Sequence, residues 1–200
     1  HLALSWADEA IAISSERGFW LWNSWSKVIR LWALAELGKP EDYLEELKQA
    51  IERWLARGVR AGMPYNCAVL AEFHLKLGQV EEGLQAVQQG LGWVATTGER
   101  GCEAELHRLM GELLRAQGRV DEAKQGFLRA IAVARSQAGG LFELRATVSL
   151  GRMLRDLGKP AVTRRLLSRL LARLGAEGDS PDIQEARVLL EQEAGPVRLS

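Results

Sequence analysis

Apolar and polar positions alternate along this chain with a helical period, and the pattern repeats every 40 residues around four glycines, Gly38, Gly78, Gly118 and Gly158. Eight, seven and four residues before the glycines lies an apolar or small stripe, poorest in the first register, where Arg30 takes the leading position. It reads Leu70, Ala71 and His74 before Gly78, then Met110, Gly111 and Leu114, then Leu150, Gly151 and Leu154. Spacings of three and four put such positions on one helical face. Five, nine, twelve and thirteen residues after each glycine a second stripe follows: Tyr43, Leu47, Ala50 and Ile51 in the first register, and Ala123, Phe127, Ala130 and Ile131 in the third. Small residues beside one large residue let two helices approach closely while the gap is filled. Each glycine suits a helix end, where a left-handed residue is common, and Pro40 and Pro160 suit the first turn of the next helix.

The pattern predicts an all-α superhelical array of antiparallel helix pairs, about ten helices and no strands. Four repeats of 40 span 19–58, 59–98, 99–138 and 139–178. Residues 1–18 read as the second helix of a truncated preceding repeat, and 179–195 as a C-terminal capping helix. Ser180-Pro181-Asp182 opens that last helix with a capping hydroxyl, a first-turn proline and an acid at the positive end of the dipole. A terminal helix is expected because arrays must cover their last apolar face.

On Met110-Gly111, Leu114, Gly118, Ala123, Phe127 and Ala130, the segment 104–137 resembles a single tetratricopeptide unit. The period of 40 exceeds that family's 34, which implies longer helices or longer linkers, such as Arg57–Gly62 and Thr96–Gly101. A closer resemblance lies in Gly98-Glu-Arg followed by Glu103–Leu114, in Glu143–Leu150 and in Ser180–Arg187. These phrases are similar to the C-terminal repeat region of large bacterial signalling proteins that join an ATPase module to an adenylate cyclase or a DNA-binding output domain. The resemblance implies a protein-binding or signal-sensing scaffold, with other domains of a parent chain among its partners. Because the chain starts at His1, it reads as a fragment of something longer.

Stacked helix pairs present a concave face built from first helices, at positions 13, 10, 6 and 3 before each glycine. From these positions the candidate partner-binding residues are Trp25, Trp32, Tyr65, Glu72, Arg108, Glu112, Arg115, Arg145, Arg152 and Arg155. The groove grades from aromatic to arginine-rich, which matches an extended peptide with an apolar and an acidic segment, since aromatic and Arg side chains anchor interfaces. The alternative is that Glu105, Arg108 and Glu112 merely pair within one solvated helix. Five of the seven tryptophans fall in the first 32 residues, either as a packing layer or as a binding surface. An aromatic groove around Trp25, Trp32 and Tyr65 also allows a small-metabolite sensor, and exposed apolar ends allow an architectural, self-associating role.

Composition narrows the picture little. The chain carries 26 Lys+Arg against 26 Asp+Glu, with 47% hydrophobic residues, an ordinary globular balance. The run Arg145–Arg173 holds eight Lys+Arg against Asp156 alone, so nucleic-acid contact is an alternative. It lacks aromatic interleaving and a recognition motif, however, and reads first as a solvated helix face. No phosphate loop, nucleophile elbow or His-Glu-x-x-His is present, so no enzyme activity and no cofactor are expected. Cys67 and His74 sit about 10 Å apart along one helix, too far to share a metal, and with Cys102 and His107 they read as packing residues. Two cysteines and no spanning apolar stretch lead to an expectation of a cytoplasmic protein without membrane contact.

Overall fold

The computed structural model describes residues 1–175 and 180–192, so residues 176–178 of the expected fourth repeat, and 179 and 193–195 of the expected cap, lie outside the described residues. Ten α-helices are present among the described residues, and no strand. They are α1 (Leu2–Glu16), α2 (Trp20–Leu37), α3 (Leu44–Ala56), α4 (Met63–Lys76), α5 (Val80–Thr97), α6 (Glu103–Ala116), α7 (Val120–Ser136), α8 (Gly140–Asp156), α9 (Pro160–Leu174) and α10 (Pro181–Gln192). A short 3-10 turn, Pro40–Asp42, precedes α3. The chain divides into two compact units, His1–Cys102 and Glu103–Ser200.

Three of the four periodic glycines do what the pattern asks of them. Gly78, Gly118 and Gly158 have φ of +68°, +74° and +71°. In each case the following residue closes the same loop: Gln79, Arg119 and Lys159 donate their N–H groups to the carbonyls of His74, Leu114 and Leu154 at 2.9, 3.0 and 2.9 Å. This is the helix-ending bond that satisfies an orphan carbonyl. Gly38 differs, with φ −141° and ψ −138°, although Gly-Lys-Pro follows in the first register as in the fourth. Tyr43 explains the departure. It stands where Gly83, Ala123 and Thr163 sit buried at a close helix crossing, and a phenol does not fit there. Tyr43 is instead half-buried and caps α3, which starts only at Leu44.

In the first unit the core joins α2, α3 and α4 through Val28, Leu31, Leu47, Trp54 and Phe73, with Trp25, Tyr65 and Trp93 packed at its margin. In the second unit Leu106, Leu109 and Leu113 of α6 are fully buried, as is Phe127 of α7. Gly111 makes that crossing possible, because a Cβ there would meet the Phe127 ring at 2.6 Å. Helix α10 closes the unit by placing Ala186 and Leu189 on Leu144, Val148, Leu167 and Leu170. Its cap is the expected one, with the Ile183 N–H donating to Ser180 Oγ at 3.3 Å. Burying these apolar faces supplies the main stabilising term for each unit.

Candidate functional site

The expected groove positions lie on the first helices of the pairs, and each unit presents its own portion. In the first unit, Trp25 and Trp32 come from α2 and Tyr65 and Glu72 from α4; all four are half-buried. Trp32 Nε1 donates to Glu72 Oε2 at 3.0 Å, joining two residues 40 apart in sequence. Glu36 and Lys76, also 40 apart, form an ion pair. Residues 40 apart on α2 and α4 are therefore direct neighbours.

The aromatic end has a defined shape. Trp25 stacks on Tyr65 with centroids 5.3 Å apart and planes 11° off parallel, and meets Trp54 at 5.7 Å and 58°. Trp54 in turn donates its indole N–H to the Ala61 carbonyl at 3.0 Å. This anchors the loop between α3 and α4, whose last residue, Gly62, takes φ +77°. Any side chain at 62 would collide with Trp25, whose ring carbon Cζ3 lies 2.3 Å from where a Cβ would be. The Gly62 N–H donates to Glu99 Oε2 at 2.8 Å. Together these residues border a cleft of about 430 Å³, lined by Trp25, Gly62, Pro64, Tyr65, Glu99 and Cys102 among others. Its lining is mainly apolar, with a carboxylate at one side. Burial pushes the Tyr65 phenol up to about 12, with Cys102 and Glu72 adding to the effect, so this ring is neutral at any ordinary pH. The sequence pointed to an aromatic groove at Trp25 and Tyr65, but not to the Gly62–Glu99 contact or the shape of the cleft. Both depend on the two linkers, Arg57–Gly62 and Thr96–Gly101, whose only legible signal was their glycines.

In the second unit the charged stripe is also assembled, but it is largely answered from within. Arg108 of α6 is buried. It grips Glu105 through two bonds of 2.8 and 3.0 Å, reaches Ser149 Oγ at 3.4 Å and approaches Glu112 at 3.9 Å. Glu112 is buried too, and accepts from Arg115 at 3.0 Å. Arg115 extends to Asp156 at 3.4 Å, which Arg155 also approaches at 3.8 Å. Arg145 bridges Glu105 at 3.0 Å and Asp182 of α10 at 3.5 Å, and Arg152 pairs with Glu185 of α10. Burial would raise the Glu105 carboxyl, yet Arg108 and Arg145 outweigh it and hold the group below the usual carboxylate range. Burial, together with Arg108, Arg115 and Arg155 nearby, lowers Arg152 against the opposing pull of Glu112. Arg108, Arg115, Arg145, Arg152 and Arg155 thus face Glu105, Glu112, Asp156, Asp182 and Glu185, a balanced set. The intrahelical pairing of Glu105, Arg108 and Glu112 is present, and these three residues are buried where that alternative placed them in solvent.

The remaining candidates resolve simply. His74 is buried with Nδ1 2.7 Å from Gln79 Oε1, and Cys67 is a buried free thiol. Among the described residues no group of three or more His, Cys, Asp or Glu is placed to hold a metal ion, and no helix is long and apolar enough to cross a membrane.

By architecture the described chain is an all-helical tandem array of antiparallel helix pairs. No model of a known protein family matches it, and no curated protein matches its sequence. Solved structures do match: the crystal structure of the nearly identical TPR-like repeats of a Podosopora anserina putative kinesin light chain aligns with a TM-score of 0.62 at 19% identity, covering 84% of this chain and 83% of that one. A variant of the same protein gives 0.60 at 19% identity, covering 84% and 92%. The fold is therefore that of a TPR-like helical repeat, in agreement with the sequence pattern.

Proposed function

We propose that this chain is a protein-interaction scaffold, read as four 40-residue units (19–58, 59–98, 99–138 and 139–178) between a leading helix, 1–18, and a capping helix, 179–195. It captures a peptide segment on its first-helix faces, and the aromatic cleft of the first unit is the principal anchor. The observation that carries this reading is the cleft beside the Trp25–Tyr65 stack, about 430 Å³ and mainly apolar, framed by a glycine that admits the tryptophan ring. Rigid aromatic surfaces around a desolvated hollow are where interface energy concentrates. The arginine stripe plays a different part, since its charges are matched by neighbouring carboxylates. A partner's acidic segment would have to exchange with Glu185 or Asp182, so that stripe adjusts specificity more than affinity.

A peptide array followed by calorimetry on the strongest hits tests the reading. Hits are expected to carry an apolar or aromatic anchor residue, and binding is expected to fall about tenfold or more in Tyr65→Ala. Hits that bind Tyr65→Ala as tightly as the parent chain would contradict it.

The same cleft supports a second reading, a small-metabolite sensor, for which Glu99 offers a polar contact beside an aromatic wall. Tryptophan emission that responds to a metabolite while array peptides fail to bind would favour it. Placement in a bacterial signalling regulator rests on the likeness of the phrases 98–114, 143–150 and 180–187. It would be tested by asking whether partner capture alters an attached output domain. Nucleic-acid contact has the least support, because four of the eight cations in Arg145–Arg173 are engaged by carboxylates (Arg145, Arg152, Arg155 and Arg173).

A further inference from the structure

Helix α2 places Trp20, Ser24 and Lys27 on one face, at spacings of four and three, and the end of α3 supplies Arg53, with Arg57 four residues on at its C-cap. These side chains meet around a cavity of about 200 Å³ that also touches Asn23 and Ala50, and no Asp or Glu lines it. Three cations thus converge on one hollow. In contrast to Arg108, Arg115, Arg145, Arg152 and Arg155 of the second unit, Lys27, Arg53 and Arg57 pair with no carboxylate among the described residues. Arg57 is also held in place: its guanidinium carbon lies 4.6 Å from the centroid of the Trp20 ring. Such stacking occupies the flat face of the guanidinium and leaves its N–H edge available as a fork.

The hollow is walled by long cationic side chains and one indole. Three like charges around one cavity repel one another, and an anion with several acceptor oxygens relieves that repulsion.

We infer that this cavity is a binding site for a phosphomonoester. The dianion would take charge-assisted hydrogen bonds from Lys27, Arg53 and Arg57 and one from the Ser24 hydroxyl, with the group it esterifies lying along Trp20. A monoanionic carboxylate answers only one of the three charges, whereas a phosphomonoester carries about −1.5 to −2 near pH 7 and presents three acceptor oxygens. The ester could be a free phosphorylated metabolite or a phosphorylated side chain of a peptide; the recognition chemistry is the same. The site is separate from the Trp25–Tyr65 cleft, and neither reading depends on the other.

The test uses the full ¹⁵N-labelled chain, with the Trp20 indole signal assigned from a Trp20→Phe variant. Phenyl phosphate is titrated at constant ionic strength, with benzoate as the monoanion control and a phosphotyrosine peptide as the second source. The expected result is saturable movement of the Trp20 signal by phenyl phosphate, with a dissociation constant on the order of 1 mM or tighter, and at least tenfold weaker binding in each of Lys27→Gln and Arg53→Gln. Affinity should rise as pH passes upward through about 6, where the ester takes its second charge. Both substituted side chains lie at the surface, and an otherwise unchanged amide spectrum verifies that each variant is folded. A peptide that binds tenfold tighter than phenyl phosphate supports the site with a protein-borne ester as its source, and equal affinities support it with a free ester. Movement that is linear in ligand, equal for benzoate, or unchanged in both variants would overturn the proposal.

Discussion

Alanine at Gly111 and alanine at Gly92 should move stability in opposite directions, although both replace a glycine inside a helix. Intrinsic propensity favours alanine by about 1 kcal/mol at either site. At Gly92 of α5 nothing lies within 4 Å of the added methyl, so most of that gain should appear. At Gly111 the methyl would sit 2.6 Å from Cδ1 and Cε1 of Phe127 and 3.0 Å from Cζ, where carbon atoms prefer about 3.5–4.0 Å. The ring would have to retreat by about 1 Å. It is fully buried, and Gly126 behind it already holds α7 against α6, with the Gly111 Cα only 3.1 Å from its notional Cβ. Overpacking of this kind costs about 1–3 kcal/mol, which outweighs the propensity gain. The net expectation is a loss of about 1–2 kcal/mol for Gly111→Ala, or about 2–8 °C in melting temperature for a chain of this size, against a rise for Gly92→Ala. Thermal unfolding followed by circular dichroism reads both. If Gly111→Ala melts as high as Gly92→Ala, the close α6–α7 crossing inferred from the glycine pattern is refuted.

Three further outcomes follow from the environments of single groups. Cys67 is buried and burial pushes its thiol up to about 11, so a thiol reagent at pH 8 should label Cys102 alone in the folded chain and both cysteines in denaturant; rapid double labelling without denaturant would contradict the burial. Tyr65 has a folded-state pKa raised from 10.0 to about 12, so its neutral form contributes stability that is complete below pH 10 and lost as pH rises toward 12. Tyr65→Phe should flatten that alkaline loss, which amounts to about 2–3 kcal/mol. Glu105 has a depressed folded-state pKa, so its contribution is present above the ordinary carboxylate range and lost as pH falls through the folded value. Arg108→Ala, which strips the bidentate partner from this buried carboxylate, should cost about 3–5 kcal/mol, toward the low end because Arg145 remains; a loss under about 1 kcal/mol would contradict a buried network.

The architecture was legible because helix periodicity and glycine elbows are local properties. Gly78, Gly118 and Gly158 adopt the left-handed conformation their position suggests, and Ala123, Phe127 and Ala130 are fully buried as their stripe requires. Gly38 escaped the rule because the deciding residue, Tyr43, acts through the width of a helix crossing that the elbow motif does not encode. The charged stripe of the second unit was legible as residue positions but not as an environment. Offsets from the glycines put Arg145 and Arg152 on one helix side, yet they could not show Asp182 and Glu185 arriving on α10 to meet them. The aromatic cleft was legible as a concentration of tryptophans and one tyrosine. Its form depends on Gly62 and Glu99, contributed by linkers with no periodicity to read.

Hydrogen–deuterium exchange of the full chain, alone and saturated with the tightest peptide from the array, addresses the scaffold reading most directly. The account expects new protection concentrated at residues 61–65 and 99–102, around the Trp25–Tyr65 cleft, with the Arg145–Arg155 face of α8 little changed. Protection confined to α8 and α10, with the cleft exchanging as it does in the free chain, would contradict it.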